Sequence, residues 1–479
     1  MKELYKNTAV ISSTEVALIV IAVLRNKYLA VQIGPAGFGM FGLLSSFFNV
    51  AAVFSGTWLS TGVTKYISEY KSEGNTQSIE KVYSFSLSLT LICSTLIAVG
   101  SIVLYNPISQ NFLTPDIAFI NFAFFAAAFI GTSLKTLFFS VMQGLMQTKR
   151  VAYVRVVSTI FEFVAVVAMV YLFDLTGFFA SFLISAVFGT LLFWKEIAKA
   201  IHGRLALPKF GGEVTKKVIN FGGTNLALGI TNMSSQYLQR IVLLTFSNMS
   251  AIGILQAASS IMNYLGILNR GSVFGYLPKM SENLTIADRN RALNDYLRFT
   301  LLTGIPSSVI IILLGKEFIG ILFSKSFFEL VDVLSVFVIA QLLISIEVGF
   351  QSIIVGTAKL KLHAFVSFLT HTIWVLVPLF FLKYLGIVAI GLSFCGASLI
   401  AMTIEASYLR VKLRIEIEKR VFQLLFIAIP VLALSILLCR ESTLWRLMFF
   451  IVSTAGVASN VTRGEWSQIR NVVVTRLAR

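Results

Sequence analysis

Six basic side chains stand inside stretches that are otherwise apolar: Arg25, Lys27, Lys135, Arg155, Arg240 and Arg270. Acidic and imidazole groups share such stretches at Glu15, Glu162, Glu347, His371 and, near an end, Glu405. A basic residue at the centre of a lipid-facing helix costs ~2.5–3.5 kcal/mol, so several together would cost on the order of 10 kcal/mol. These groups are therefore expected to face water, a partner charge or a ligand. Cations outnumber acids, and a basic cavity prefers an anion. The planar guanidinium suits phosphate oxygens because it makes two charge-assisted hydrogen bonds at once, whereas Lys135 acts as a point charge. Lys27 and Arg155 lie near the ends of their stretches, where snorkelling to the headgroup surface accounts for them. For Glu15, Glu162, Glu347 and His371 two readings stand side by side. One is exchange of protons or other ions along a polar path. The other is ion pairing that fixes packing, as between Lys135 and Glu347.

The elements that must position these groups are membrane-crossing helices. The 479 residues are 57% hydrophobic and 13% charged, with a mean hydropathy of +0.85. That is far too apolar for a soluble globular chain. The apolar runs can cross roughly 30 Å of hydrocarbon at about 1.5 Å per residue, and they are too long for barrel strands. Spans are read at 7–32, 37–63, 80–105, 116–144, 149–173, 176–199, 217–246, 251–278, 291–314, 329–357, 362–384, 386–410, 421–439 and 444–461. Pro306, Pro378 and Pro430 fall inside them and should kink their helices. Glu15 and Arg25 interrupt the first span and no small-residue cleavage pattern follows, so it is expected to stay in place rather than be removed as a signal.

The net charge of +17 does not point to nucleic acid, because of where it lies. By far the larger share of the 39 Lys and Arg residues is on the side of the N terminus, in tails, connections and adjoining helix ends. The opposite side carries Lys316, Lys325, Lys383, Arg440 and Arg446. Basic residues are retained on the cytoplasmic side, so both termini are expected there. The connections 194–217 and 409–420 are strongly basic, which orientation alone explains and which also suits contact with anionic lipid. Cys93, Cys395 and Cys439 all lie in apolar segments and no CxxC occurs, so neither a disulfide framework, a metal site nor a cofactor is expected.

An internal repeat organises the spans. Gly39-x5-Ser45-Ser46 recurs as Gly253-x5-Ser259-Ser260, and Lys65 follows the first glycine at the spacing by which Lys279 follows the second. Further on, KTLFFSVMQG (Lys135–Gly144) aligns with EVGFQSIIVG (Glu347–Gly356), and Ser158-x18-Gly177 with Ser367-x18-Gly386. This collinearity sets Lys135 against Glu347, Glu162 against His371, and Arg25 within one residue of Arg240. The expected fold is an all-α polytopic membrane protein: two pseudo-symmetric six-helix lobes about a central cleft, with two further C-terminal helices. The lobes are placed at 1–200 and 217–410, joined by a cytoplasmic linker at 201–216. Residues 411–479 supply the additional helices and a basic tail. Repeats an even number of spans apart share orientation, so their axis should run along the membrane normal.

The run Gly34-Pro35-Ala36-Gly37-Phe38-Gly39, followed by Gly62-Val63-Thr64-Lys65-Tyr66-Ile67-Ser68-Glu69-Tyr70, resembles bacterial flippases for O-antigen and enterobacterial common antigen units. These form the polysaccharide transporter branch of the multidrug/oligosaccharidyl-lipid/polysaccharide exporter superfamily. The resemblance extends over about residues 1–410 and is weak beyond, where twelve spans would be as familiar as fourteen. It implies a non-enzymatic transporter of the bacterial inner membrane, involved in lipopolysaccharide biosynthesis. Its implied cargo is an undecaprenyl-pyrophosphate-linked oligosaccharide, turned from the cytoplasmic to the periplasmic leaflet by alternating access. Arg25, Lys135, Arg240 and Arg270 are then the candidates for headgroup binding. Glu15, Glu162, Glu347 and His371 are the candidates for H+ or Na+ coupling. A polysaccharide polymerase and a chain-length regulator are the implied partners besides membrane lipid.

Two rival functions are set against this one. A proton- or sodium-coupled multidrug antiporter exporting organic cations would be better served by an acidic, aromatic cavity than by buried cations. A membrane-embedded polysaccharide polymerase or glycosyltransferase would need a sizeable outer loop or a soluble catalytic domain. The longest outer connection, GKEFIGILFSKSFF, is short and half apolar, and no Ser/His/Asp set or phosphate-binding glycine loop is visible.

Overall fold

A computed structural model describes residues 2–111, 113, 117–200, 212–270, 285–357 and 359–460. The described residues form sixteen α-helices and two short 3-10 turns, and no strand. In chain order the helices are α1 (Lys2–Gln32), α2 (Gly34–Phe54), α3 (Ser60–Ser72), α4 (Thr76–Val103), α5 (Tyr105–Asn111), α6 (Phe119–Gly144), α7 (Thr148–Ala200) and α8 (Glu213–Phe246). They continue as α9 (Met249–Arg270), α10 (Ile286–Leu313), α11 (Gly315–Leu322), α12 (Leu330–Gly356), α13 (Leu360–Leu385), α14 (Val388–Leu413), α15 (Lys419–Leu438) and α16 (Thr443–Ala458). Among the described residues nine helices are long and apolar enough to cross a membrane by length and composition. The protein is an all-helical, multi-pass membrane protein.

Local chemistry explains most of the punctuation. Pro35 sits in the first turn of α2, where its missing N–H is no loss, directly after Gly34 in the left-handed region at φ 61°. Asn75 caps α4 by accepting from the Ser78 amide at 3.0 Å, and Thr285 caps α10 by accepting from the Asp288 amide at 3.3 Å. The pair of spans expected at 149–173 and 176–199 is present as two helices, the two halves of α7, separated by non-helical backbone at Phe173 and Asp174. Gly177 makes that reversal feasible, since a Cβ there would stand 1.8 Å from the Met169 carbonyl oxygen. Pro306, Pro378 and Pro430 lie inside α10, α13 and α15.

Two expectations need correction. The span expected to run unbroken over 37–63 ends at Phe54, turns through Ser55 and Gly56 (φ 99°), and resumes as α3 down to Ser72. The short, half-apolar outer connection at 315–328, read as a loop, is instead α11 and a 3-10 turn, with Phe323 and Phe327 fully buried.

The chain divides into two compact units. The first holds Met1–Gln256 with Leu322–Ser326 and Trp374–Lys383; the second holds the remainder. In the first, aromatic rings of α2, α6 and α7 form a continuous cluster through Phe41, Phe48, Phe125 and Phe182. In the second, α12 packs along α10 and α14. Tyr296 lies against Gly349 and donates its hydroxyl to the Ser345 carbonyl at 2.7 Å. Buried Arg298, on α10, donates to the Asn460 carbonyl at 3.3 Å, and Arg446 of α16 reaches Leu313 O and Glu317.

Candidate functional site

The charged residues of the first unit are organised by α1 and the first half of α7. Arg25 pairs with Glu162, and Glu15 pairs with Arg155 through two oxygens at 2.5 and 3.5 Å. Each helix thus contributes one cation and one acid, at two heights. Glu15 and Arg25 are ten residues apart on α1, about 15 Å along a helix axis, and Arg155 and Glu162 are two turns apart on α7. The Arg25 and Glu162 side chains are 23% and 18% exposed. The Arg155 guanidinium also lies 5.4 Å from the Phe139 ring centroid on α6. Snorkelling therefore does not account for Arg155, which spends its charge on Glu15. Nor does it account for Lys27, whose ammonium donates to the Phe323 carbonyl.

Lys135 of α6 is half-buried, and its side chain crosses Gly189 in the second half of α7, beside the Ser158 hydroxyl. That hydroxyl is buried and has no hydrogen-bond partner. Arg240 of α8 is buried, donating to the Gln236 carbonyl at 3.0 Å and to Gln256 Oε1 at 2.8 Å. Gln256 in turn lies against Gly42 of α2. Arg270 closes α9, and its side chain lies outside the described residues. In the second unit, Glu347 on α12 neighbours Ser398 and Glu405 of α14. His371 on α13 approaches the Ser367 carbonyl at 2.5 Å. The structure thus joins Arg25 to Glu162 and sets Lys135, Arg240, Glu347 and His371 in surroundings of their own.

The internal repeat reappears as geometry. Gly39 on α2 meets Met249 and Gly253 on α9, where an added Cβ would stand 2.0 Å from the Met249 carbonyl oxygen. Reciprocally, a Cβ on Gly253 would stand 1.9 Å from the Pro35 carbonyl oxygen. Pro35 with Met249 and Gly39 with Gly253 are repeat mates at one common offset, so the crossing is symmetric about itself. The repeat also sharpens the arginine match. Gln239, not Arg240, stands at that offset from Arg25, and it donates to the Trp374 carbonyl of α13 at 2.9 Å. The contacts Arg25 to α7 and Gln239 to α13 are equivalent.

At the other end of α2 and α3, the GVTKY stretch meets α8. Gly62 lies against Val218, and Lys65 places its ammonium 4.3 Å from the Phe221 ring centroid and 5.1 Å from that of Tyr66. A Cβ on Gly222 would run into the Trp58 ring at 2.7 Å. Nothing in the apolar sequence of α8 marks these contacts in advance.

Residues 4–284 match the family described as polysaccharide biosynthesis protein. The chain belongs to this family. A curated relative of this polysaccharide biosynthesis family member, the lipid III flippase of Escherichia coli (strain K12), is 24% identical over 348 residues, covering 71% of this chain and 82% of the relative. Among solved structures, the lipid II flippase MurJ in an inward closed conformation superposes with a TM-score of 0.75 at 15% identity, covering 93% of this chain and 98% of that one. An inward-facing multidrug resistance MATE transporter of the MOP superfamily superposes with a TM-score of 0.73 at 12% identity, covering 85% and 95%. The chain shares the fold of these solved structures, and the protein is a multi-pass protein of the bacterial inner membrane.

Proposed function

We propose that this chain is a flippase, not an enzyme, and that it turns an undecaprenyl-pyrophosphate-linked oligosaccharide, such as an O-antigen repeat unit, from the cytoplasmic to the periplasmic leaflet. The observation that carries the reading is the Arg25–Glu162 pair, a guanidinium half-buried in a membrane helix and held by a carboxylate that a phosphate can replace. A diphosphate offers the same planar fork more oxygens and more charge than one carboxylate. The relation to a lipid III flippase supports a lipid-linked cargo. The lipid tail stays in the bilayer while the headgroup meets Arg25, Lys135, Arg240 and Arg270 in turn as the two halves alternate. Coupling to H+ or Na+ supplies direction, and a polymerase with its chain-length regulator receives the product outside.

The test is reconstitution in liposomes with a fluorescent undecaprenyl-pyrophosphate oligosaccharide, following its appearance in the opposite leaflet. Wild type is expected to flip it, and Arg25→Ala or Arg270→Ala to slow flipping at least tenfold with normal insertion. Export of an organic cation by wild type, with no movement of the lipid-linked sugar, would sink this reading in favour of a multidrug antiporter.

A further inference from the structure

The second unit holds a pair of acids that the arginine pathway leaves unused. Glu405, in α14, is fully buried, and neither of its carboxyl oxygens has a hydrogen-bond partner. Its charged neighbour is a second acid, Glu347 of α12. Ser398, two turns before Glu405 on the same helix, is also fully buried, and its hydroxyl, itself without a hydrogen-bond partner, faces Glu347. The two helices run side by side in register, as the Cys395 thiol directed at the Val336 carbonyl at 3.7 Å marks from the opposite end.

No cation compensates this pair among the described residues, since neither acid takes part in an ion pair. The charges on the surrounding elements are spent elsewhere. From α10, Tyr296 donates to the Ser345 carbonyl and Arg298 to the Asn460 carbonyl, while Asp288, Arg289, Arg291 and Asp295 belong to its first turns. Asp332, at the start of α12, faces Arg440 at 3.7 Å. Arg410 and Lys412, beyond Glu405 in the last turn of α14, are exposed.

Glu347 is only half-buried, but Glu405 is cut off from water, from hydrogen-bond donors and from any cation among the described residues, and a carboxylate so placed is too costly to keep as an ion, so Glu405 carries a proton. We propose that Glu405 is a proton-binding site, with Glu347 of α12 as the acid beside it and the Ser398 hydroxyl turned to the Glu347 carboxylate. The ligand is a proton rather than a metal cation, because among the described residues no third His, Cys, Asp or Glu joins the two acids to complete a metal site. Lys135 stands at the repeat position of Glu347, so the first half of the chain has no counterpart of this acid pair. The use of the site to drive transport rests on the flippase reading; the binding of a proton does not.

Infrared difference spectroscopy on the full chain in lipid nanodiscs reads the two separately. Wild type is expected to show the carbonyl stretch of a protonated carboxylic acid near neutral pH, fading as pH is raised. Glu405→Gln should remove that band, and Glu347→Gln should displace it in frequency and in midpoint by at least one pH unit. Both substitutions are nearly isosteric with the protonated acid, and unchanged thermal melting confirms that they fold. A wild-type spectrum without the band, a band indifferent to both substitutions, or a band abolished by NaCl and retained in KCl would overturn the proposal. In the liposome assay, a pH gradient should accelerate wild-type flipping and leave Glu405→Gln unaffected. If the band behaves as expected while wild type flips nothing, the proton site stands and the flippase reading falls.

Discussion

Arg25 and Glu162 lie 137 residues apart in sequence and meet between α1 and α7, with Arg155 and Glu15 repeating the arrangement two to three turns away. Such a pair has two possible purposes, and a double substitution separates them. With side chains 23% and 18% exposed, losing one partner should cost between the ~1 kcal/mol of an exposed pair and the ~3–5 kcal/mol of a buried one. Arg25→Ala leaves the Glu162 carboxylate uncompensated, so adding Glu162→Gln should restore most of the lost thermal stability. Flipping should not return in the double variant if Arg25 binds the headgroup, because the guanidinium is still missing. Recovery of both stability and transport would reduce Arg25 to a structural role. The charges themselves were legible in the sequence, as was their need for partners. Their pairing was not, because parallel helices far apart in sequence meet in a register that no local pattern specifies. The depth of Glu405 and Arg298 went unread for the same reason, whereas Gln239 as the in-register mate of Arg25, one residue before Arg240, follows from the repeat offset in the sequence itself.

The crossing of α2 and α9 is where sequence and geometry agree most closely. The repeat matched Gly39 with Gly253, and the structure packs each of these glycines on the backbone before the other, at Met249 and Pro35. Neither position has room for a methyl group. Gly39→Ala and Gly253→Ala should each destabilise the protein by about 1–3 kcal/mol, the range for overpacking a filled contact. Both strain one crossing, so the double variant should lose clearly less than the sum of the singles in melting experiments. Simple additivity would mean that the two helices do not pack on each other at these residues. The break at Ser55–Leu59 shows where pattern reading stopped. Hydropathy falls over Ser55–Gly62 and Ser55-Gly56 is a turn signal, but no charged residue marks the break, so a helix ending and restarting there reads as a single span. The reversal at Phe173–Asp174 was readable because Asp174 and Gly177 interrupt the apolar pattern there.

At the scale of the molecule, the spans read from hydropathy fall largely on helices among the described residues, with 37–63 interrupted at Ser55 and Gly56, and the asymmetry of Lys and Arg gives the direction in which they are expected to run. That asymmetry makes a topology prediction independent of any transport assay. With an even number of crossings, reporters placed at alternate connections must alternate in signal. Alkaline phosphatase inserted in the connection at Gly315–Phe328 should be active, since that segment carries only Lys316 and Lys325 and belongs to the outer side. Green fluorescent protein inserted after Arg414, where the left-handed residue ends α14 amid Arg410, Lys412 and Lys419, should fluoresce from the cytoplasm. The pair α15 and α16 returns the chain to the side it left, so a reporter joined after Arg479 should match the one at Arg414. A phosphatase-positive, non-fluorescent C terminus would mean that α15 and α16 do not both cross. In that case Arg446, bound to Leu313 O and Glu317, would be holding a surface helix against α10 and α11 rather than the end of a span.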